Sequence, residues 1–203
     1  MPPARNPAAP SPPRRRADAE RSVARILDAA LDALASDPEA SMAEIARRAG
    51  VVRATIYVHF PTREALIAAI TDRAVAEVTA AIEAADPSRG EPAEALGRVV
   101  AAAWRALGRF HALVEINTRR SHGEQHELHQ PVLGVLAPLI ERGRRDGSFR
   151  ADVPVTWHLA MLLALVHAAT GELSAGRLPA TAVEAALQRT IVGAIAAEGP
   201  PRA

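Results

Sequence analysis

At 203 residues, 49% of them hydrophobic, the chain can bury a sizeable core, and its formal net charge of +1 excludes a uniformly basic coat for nucleic acid. Cysteine is absent, which excludes disulfides, thiol nucleophiles and cysteine-bearing zinc sites and accords with a reducing cytoplasm. All 24 basic residues are arginine, whose planar fork suits phosphates and guanine edges, although a GC-rich coding bias that also yields the many Ala and Pro is the plainer source.

In chain order, residues 1–17 are rich in proline and arginine, lack the apolar run of a secretory signal, and read as a disordered arm. Val23, Ile26, Leu27, Ala30, Leu31 and Leu34 then share one helical face, with Asp28 and Asp32 off it. Pro38 closes this first helix. Ser41 with Glu44 has the spacing of a capping box and opens a second helix, 42–49; Gly50 suits its C-terminus, and a third apolar run, 52–60, follows after a short turn. That spacing describes a helix-turn-helix at about 41–60. Pro61 ends the third helix, Thr62 caps a fourth, and Ala65, Leu66, Ala69, Ile70, Ala74 and Val78 give the fourth its apolar stripe.

Beyond a break at Asp86, Pro87 and Gly90, helices are expected at about 91–120, as one or two pieces, then 124–146, 154–176 and 180–198. Pro154 marks a helix start, and Thr181 with Glu184 reads as a second capping box. Strand-like alternation is missing, so the fold class is all-α. The longest apolar stretch, 157–169, is broken by His158 and His167 and falls short of the roughly 20 residues a membrane span needs. No nucleophile with base and orienter, and no carboxylate pair, stands out, so neither an enzyme nor a cofactor is expected.

The segment from Ala49 to Leu66, with Gly50-Val51 at the turn and Thr55-Ile56-Tyr57-Val58-His59-Phe60 on the third helix, strongly resembles the DNA-binding signature of the TetR/AcrR family of transcriptional regulators. The resemblance covers about residues 20–67. It implies a three-helix DNA-binding domain over 18–66 and a helical ligand-sensing and dimerisation domain over 67–203. A recognition helix presents its first residues to base edges in the major groove while neighbouring groups hold phosphates. Arg53 is placed for bidentate readout of guanine, Ala54 for a thymine methyl, and Arg63 for a phosphate at the start of the fourth helix. By resemblance, Thr55, Tyr57 and His59 bond the DNA backbone. Ile56 and Phe60 are assigned to the core, and Arg47 and Arg48 to solvent. Two departures stand out: Val52 replaces the usual Ser or Thr cap, and Val58 replaces an often polar residue, so weak or lost specific DNA binding is the alternative reading.

The resemblance further implies a cytoplasmic repressor that leaves a palindromic double-stranded operator when a small-molecule effector enters the sensor domain. One short helix reads few base pairs, so a homodimer is expected, through 154–176 and 180–198, with Leu159, Leu162, Leu163, Val166, Leu187, Ile191 and Ile195 as its apolar centre or as each subunit's own core. Trp104, Phe110, Asn117, Trp157 and Met161 are the expected pocket residues, and Glu115 a counter-ion for a cationic ligand. His122, His126 and His129 have helical spacing, but Gly123 and Pro131 read as a loop and a helix start, so solvated histidines are favoured over a metal site.

Overall fold

The structure is a computed structural model, and it describes residues 12–117 and 121–197. The chain divides into two compact units, Met1–Ala69 and Ile70–Ala203, with the boundary inside the fourth helix.

The first unit holds α1 (Pro12–Ser36), α2 (Met42–Arg48), α3 (Arg53–His59) and the first turns of α4 (Arg63–Ala84). Helix α1 starts earlier than its apolar periodicity, within the stretch expected to be an arm. Proline is tolerated in a first helical turn, where its missing N–H has no partner to lose, and the Ala and Arg that follow are good helix formers. Residues 1–11 lie outside the described residues. The predicted face of α1 is the buried one: Ile26, Leu27, Ala30, Leu31 and Leu34 are buried and Asp28 and Asp32 exposed. Against it pack Met42 and Ile45 of α2, both buried, and α2 in turn packs on α3. Helices of seven residues do not persist alone in water, so α2 and α3 exist because of this packing.

The capping box at α2 forms only by half. Ser41 Oγ accepts from Glu44 N at 3.2 Å, but the Glu44 carboxylate turns to Arg47 and Arg48, at 2.7 Å and 2.8 Å, instead of reaching back to the cap. Charge-assisted bonds to two guanidiniums outcompete one backbone N–H, and they pull the Glu44 carboxyl down to about 2. Gly50 has φ +65°, the left-handed geometry that lets the chain leave α2 and enter α3 within a few residues. Thr62 caps α4 as expected, its Oγ1 accepting from Ala65 N at 3.1 Å.

The second unit holds the rest of α4, then α5 (Pro92–Leu107), a 3-10 turn (Gly108–Phe110), α6 (His111–Asn117), α7 (His122–Arg145), α8 (Val155–Ser174) and α9 (Ala180–Ile195). Its core joins Leu96, Val99 and Trp104 of α5, Leu136 and Ile140 of α7, Leu159 and Leu162 of α8, and Leu187, Ile191 and Ile195 of α9. Apart from one isolated bridge, Phe149 to Ala196, the described residues are helices and their connections. None of these helices is long and apolar enough to cross a membrane.

Two expectations are corrected in this unit. Residues 122–145 form one helix, close to the expected 124–146, that carries Pro131 and Pro138 inside it, so Gly123 and Pro131 mark neither a loop nor a helix start. An interior proline costs about 3 kcal/mol. Here a complete capping box offsets it, with Ser121 N donating to Glu124 Oε2 at 2.8 Å, as does the burial of Val132, Leu133, Leu136, Leu139 and Ile140. The box foreseen at Thr181 and Glu184 does not form. Pro179 takes the N-cap position, Thr181 falls inside the first turn, and Glu184 pairs with Arg105 at 3.3 Å.

A close approach fixes the end of α7. Phe149 is buried with its ring over Gly143, where an added Cβ would stand 2.2 Å from a ring carbon, and Phe149 N donates to the Gly143 carbonyl at 2.8 Å. The next residue, Arg150, donates its N–H to Ile195 O at 2.9 Å, tying this loop to the end of α9.

Candidate nucleic-acid interface and internal cavity

Helix α3 is amphipathic across its short length. Ile56 is fully buried, and Phe60, its C-cap, is nearly so, whereas Arg53, Ala54, Tyr57 and Val58 are exposed. Burying one such apolar side chain contributes about 1.5–3 kcal/mol. These two therefore hold the helix while its other face stays open. The Arg53 guanidinium lies over the Tyr57 ring, 5.7 Å from its centroid, a cation–π contact that presents both groups as one unit. Thr55 and His59 flank this face half-buried.

Val52 is the N-cap, in extended geometry and with no side-chain cap bond, as its apolar side chain dictates. It is 70% exposed and Val58 is 79% exposed, so both valines stand outward beside Arg53 and Ala54. The sequence marks these two as losses of polarity, and both side chains are open on the surface.

Arg63, expected at a phosphate, is engaged within the protein. Its Nη2 donates to the Pro38 carbonyl and its Nε to the Ala40 carbonyl at 3.5 Å, so the guanidinium holds the α1–α2 connection in place. Arg47 and Arg48 are exposed, as expected, and both pair with Glu44. Among the described side chains Arg53 is thus the arginine that the recognition face presents. The side chains of Arg14, Arg15 and Arg16 lie outside the described residues.

The second unit encloses a cavity of about 130 Å³, walled by every helix from α4 to α9. Of the five expected pocket residues, Trp104, Phe110 and Asn117 line it. Trp157 and Met161 do not. Trp157 is 62% exposed on the outside of α8, and Met161 packs against the core. Helix α8 is apolar around most of its circumference, so periodicity could not tell which side turns inward.

The wall carries a few polar groups. Asn117 Nδ2 donates to Thr71 Oγ1 at 3.1 Å. His129 of α7 and His167 of α8 meet edge to face with centroids 5.6 Å apart, and His129 Nδ1 lies 2.6 Å from the Gln125 carbonyl. Burial holds both histidines below the ordinary imidazole value; the neighbouring His126 further disfavours charge on His129, and His129 disfavours charge on His167. His129 and His167 were not singled out as pocket residues; the signal for His167 was its interruption of an apolar helix. His126 is exposed, its Nε2 2.7 Å from Gln130 Nε2, and the His122 and Glu115 side chains lie outside the described residues. Among the described residues no three metal-ligating groups converge.

An arginine-bearing, otherwise open helix in a helix-turn-helix, followed by a separate helical unit with an internal cavity, defines a DNA-binding regulator. Residues 26–70 match the model for the bacterial regulatory proteins of the tetR family. Over 81 residues the chain is 43% identical to the HTH-type transcriptional repressor LfrR of Mycolicibacterium smegmatis, a match that spans 40% of this chain and 43% of the relative. It is 28% identical over 149 residues to the HTH-type transcriptional regulator NfxB of Pseudomonas aeruginosa, spanning 70% of this chain and 78% of that one. Among solved structures, TetR-like LfrR from Mycobacterium smegmatis in complex with proflavine superposes with a TM-score of 0.67 at 25% identity, over 88% of this chain and 99% of that chain. FadR from Bacillus subtilis in complex with stearoyl-CoA shares the fold, with a TM-score of 0.70 at 19% identity over 84% of this chain and 98% of that chain. Residues 26–70 thus carry the tetR-family DNA-binding signature, and the fold over most of the chain resembles that of TetR-like transcriptional regulators.

Proposed function

We propose that the chain is a cytoplasmic, homodimeric repressor that holds a palindromic operator and releases it when a small molecule fills the cavity of the second unit. The observation that carries this reading is the presence in one chain of the exposed Arg53–Tyr57 face on α3 and an apolar internal cavity in the other unit. LfrR is a named repressor whose structure holds proflavine, and both points support the same assignment here.

Dimerisation is supported by what α8 and α9 leave outside. The leucines and isoleucines expected at its centre are mostly spent within the chain: Leu159, Leu162, Leu187, Ile191 and Ile195 are buried. The surface left for a second copy is Trp157, Ala160, Ala164 and Ala168 on α8, with Ala182, Arg189 and Gly193 on α9. Small side chains allow close helix approach, and one exposed tryptophan provides an anchor.

In operation, Arg53 reads guanine while Ala54, Val52 and Val58 offer apolar surface to thymine methyls. Thr55, Tyr57 and His59 hold the backbone. Helix α4 carries the cap at Thr62 and also supplies Thr71 and Val78 to the cavity wall, so an effector that alters this helix alters both ends of it. An effector acts only through its differential affinity for the two spacings of the paired reading heads.

The uncapped start of α3 favours one other reading, a TetR scaffold with lost specific DNA binding. A mobility shift with the DNA upstream of the chain's own gene separates them. The regulator reading expects sequence-selective, salt-dependent binding by the dimer; equal affinity for that DNA and for random DNA would sink it.

A further inference from the structure

Resting on the cavity as effector site, the inference concerns the chemistry of what enters it. The lining is almost wholly apolar, and its titratable groups among the described residues are two bases, His129 and His167, with no carboxylate. The proton positions follow from the bonding. The Gln125 carbonyl can only accept, so His129 Nδ1 must carry the hydrogen it shares at 2.6 Å, and in the neutral ring Nε2 is left as a lone pair. Asn117 and Thr71 already bond each other at 3.1 Å.

A cation would find little here. Arg109 already stands over the Phe110 ring, 5.5 Å from its centroid, and the His111 ring lies against Trp104 at 5.4 Å, so both aromatic walls have a polar neighbour in place. Burying an ammonium group without a counter-charge is expensive. Size narrows the choice further: a volume of about 130 Å³ is close to the roughly 150 Å³ apolar cavity that accepts benzene.

We infer that the cavity takes a small lipophilic weak acid, about one aromatic ring in size, whose acidic hydrogen is received by the His129 imidazole beside His167. Two sources share this chemistry, and their protons balance differently. A phenol arrives protonated and donates its O–H to Nε2, with no exchange with solvent. A carboxylic acid, ionised at neutral pH, arrives as the anion and draws one proton from solvent onto the imidazole, giving an imidazolium–carboxylate pair. Because desolvation and His126 disfavour the charged His129 while the Gln125 carbonyl favours it, carboxylate binding weakens about tenfold per pH unit above the ring's pKa. Phenol binding stays level across the same range.

Calorimetric titration of the full chain with phenol, anisole, benzoate and phenyltrimethylammonium, in two buffers of different ionisation enthalpy, tests this. Phenol is expected to bind about tenfold tighter than anisole, which lacks the donor. Benzoate is expected to bind with uptake of about one proton, and the ammonium ion not at all. The variant His129→Leu, checked for an unchanged thermal melt, brings phenol to the level of anisole; the four wild-type titrations decide the matter even if that variant does not fold. Equal binding of phenol and anisole, or binding of the ammonium ion at least as tight as phenol, overturns the weak-acid assignment and leaves an effector cavity of another class. Binding of none of the four overturns the assignment and the effector-site reading together.

Discussion

Arg53 and Tyr57 sit one turn apart on α3, and their contact at 5.7 Å means that neither acts alone. On the proposed roles, with Arg53 reading bases and Tyr57 holding the backbone, their contributions to DNA binding are nonetheless separable. Replacing Arg53 by Ala is expected to cost the selected site about 1–3 kcal/mol and random DNA much less. Tyr57→Phe is expected to weaken both alike. Fluorescence anisotropy titrations against the two DNAs check this, and the reverse pattern would mean that the two roles are misassigned. The Arg63 guanidinium, bonded to the Pro38 and Ala40 carbonyls, bears on the position of α2.

Among the elements, what could be read from sequence was whatever local chemistry decides. The buried face of α1, the Ser41 and Thr62 caps, Gly50 at the turn and the missing cap at Val52 all follow from side chains within a few residues of one another. What could not be read was decided by competition or by distant packing. Glu44 deserts its cap for two arginines, Pro179 displaces Thr181 from the N-cap, and the burial of one face of α7 overrides Pro131. The pocket was legible to the same extent: Trp104, Phe110 and Asn117 line it, whereas Trp157 is lost because an all-round apolar helix hides its own orientation. Gly143 was invisible too, since its reason is the Phe149 ring of a later loop. Gly143→Ala drives a methyl to 2.2 Å from that ring. It is expected to destabilise the second unit by about 1–3 kcal/mol, measured by urea denaturation. An unchanged midpoint would show that the loop can give way without cost.

At the scale of the whole molecule, titratable groups make stability depend on pH in one direction. His111, His129, His158 and His167 all lie in the second unit, and desolvation lowers each below its ordinary value of 6.5. The folded unit therefore favours the neutral rings and the unfolded chain binds more protons. This stability is fully present above about pH 6.5 and is lost as pH falls below it. His158 is the sharpest case. It is 1% exposed with no hydrogen-bond partner at either ring nitrogen, and Arg144 and Arg150 oppose its protonation while Asp152 favours it. Scanning calorimetry from pH 7.5 to 5.5 is expected to give a falling melting temperature, and His158→Leu to flatten that fall while costing no hydrogen bond. Identical slopes in variant and parent would remove His158 from the explanation.

The two tryptophans, one in the cavity wall and one on the outer side of α8, stand in opposite solvents: Trp104 is 5% exposed and Trp157 62%. The protein thus carries two native optical reporters and needs no dye. On the proposed function, emission from Trp104 would register occupancy of the interior, and the solvent-shifted emission of Trp157 would register whether its helix is covered by a second copy. With Trp157→Phe and Trp104→Phe as the single-reporter forms, effector entry and subunit association can be followed as separate signals in one cuvette.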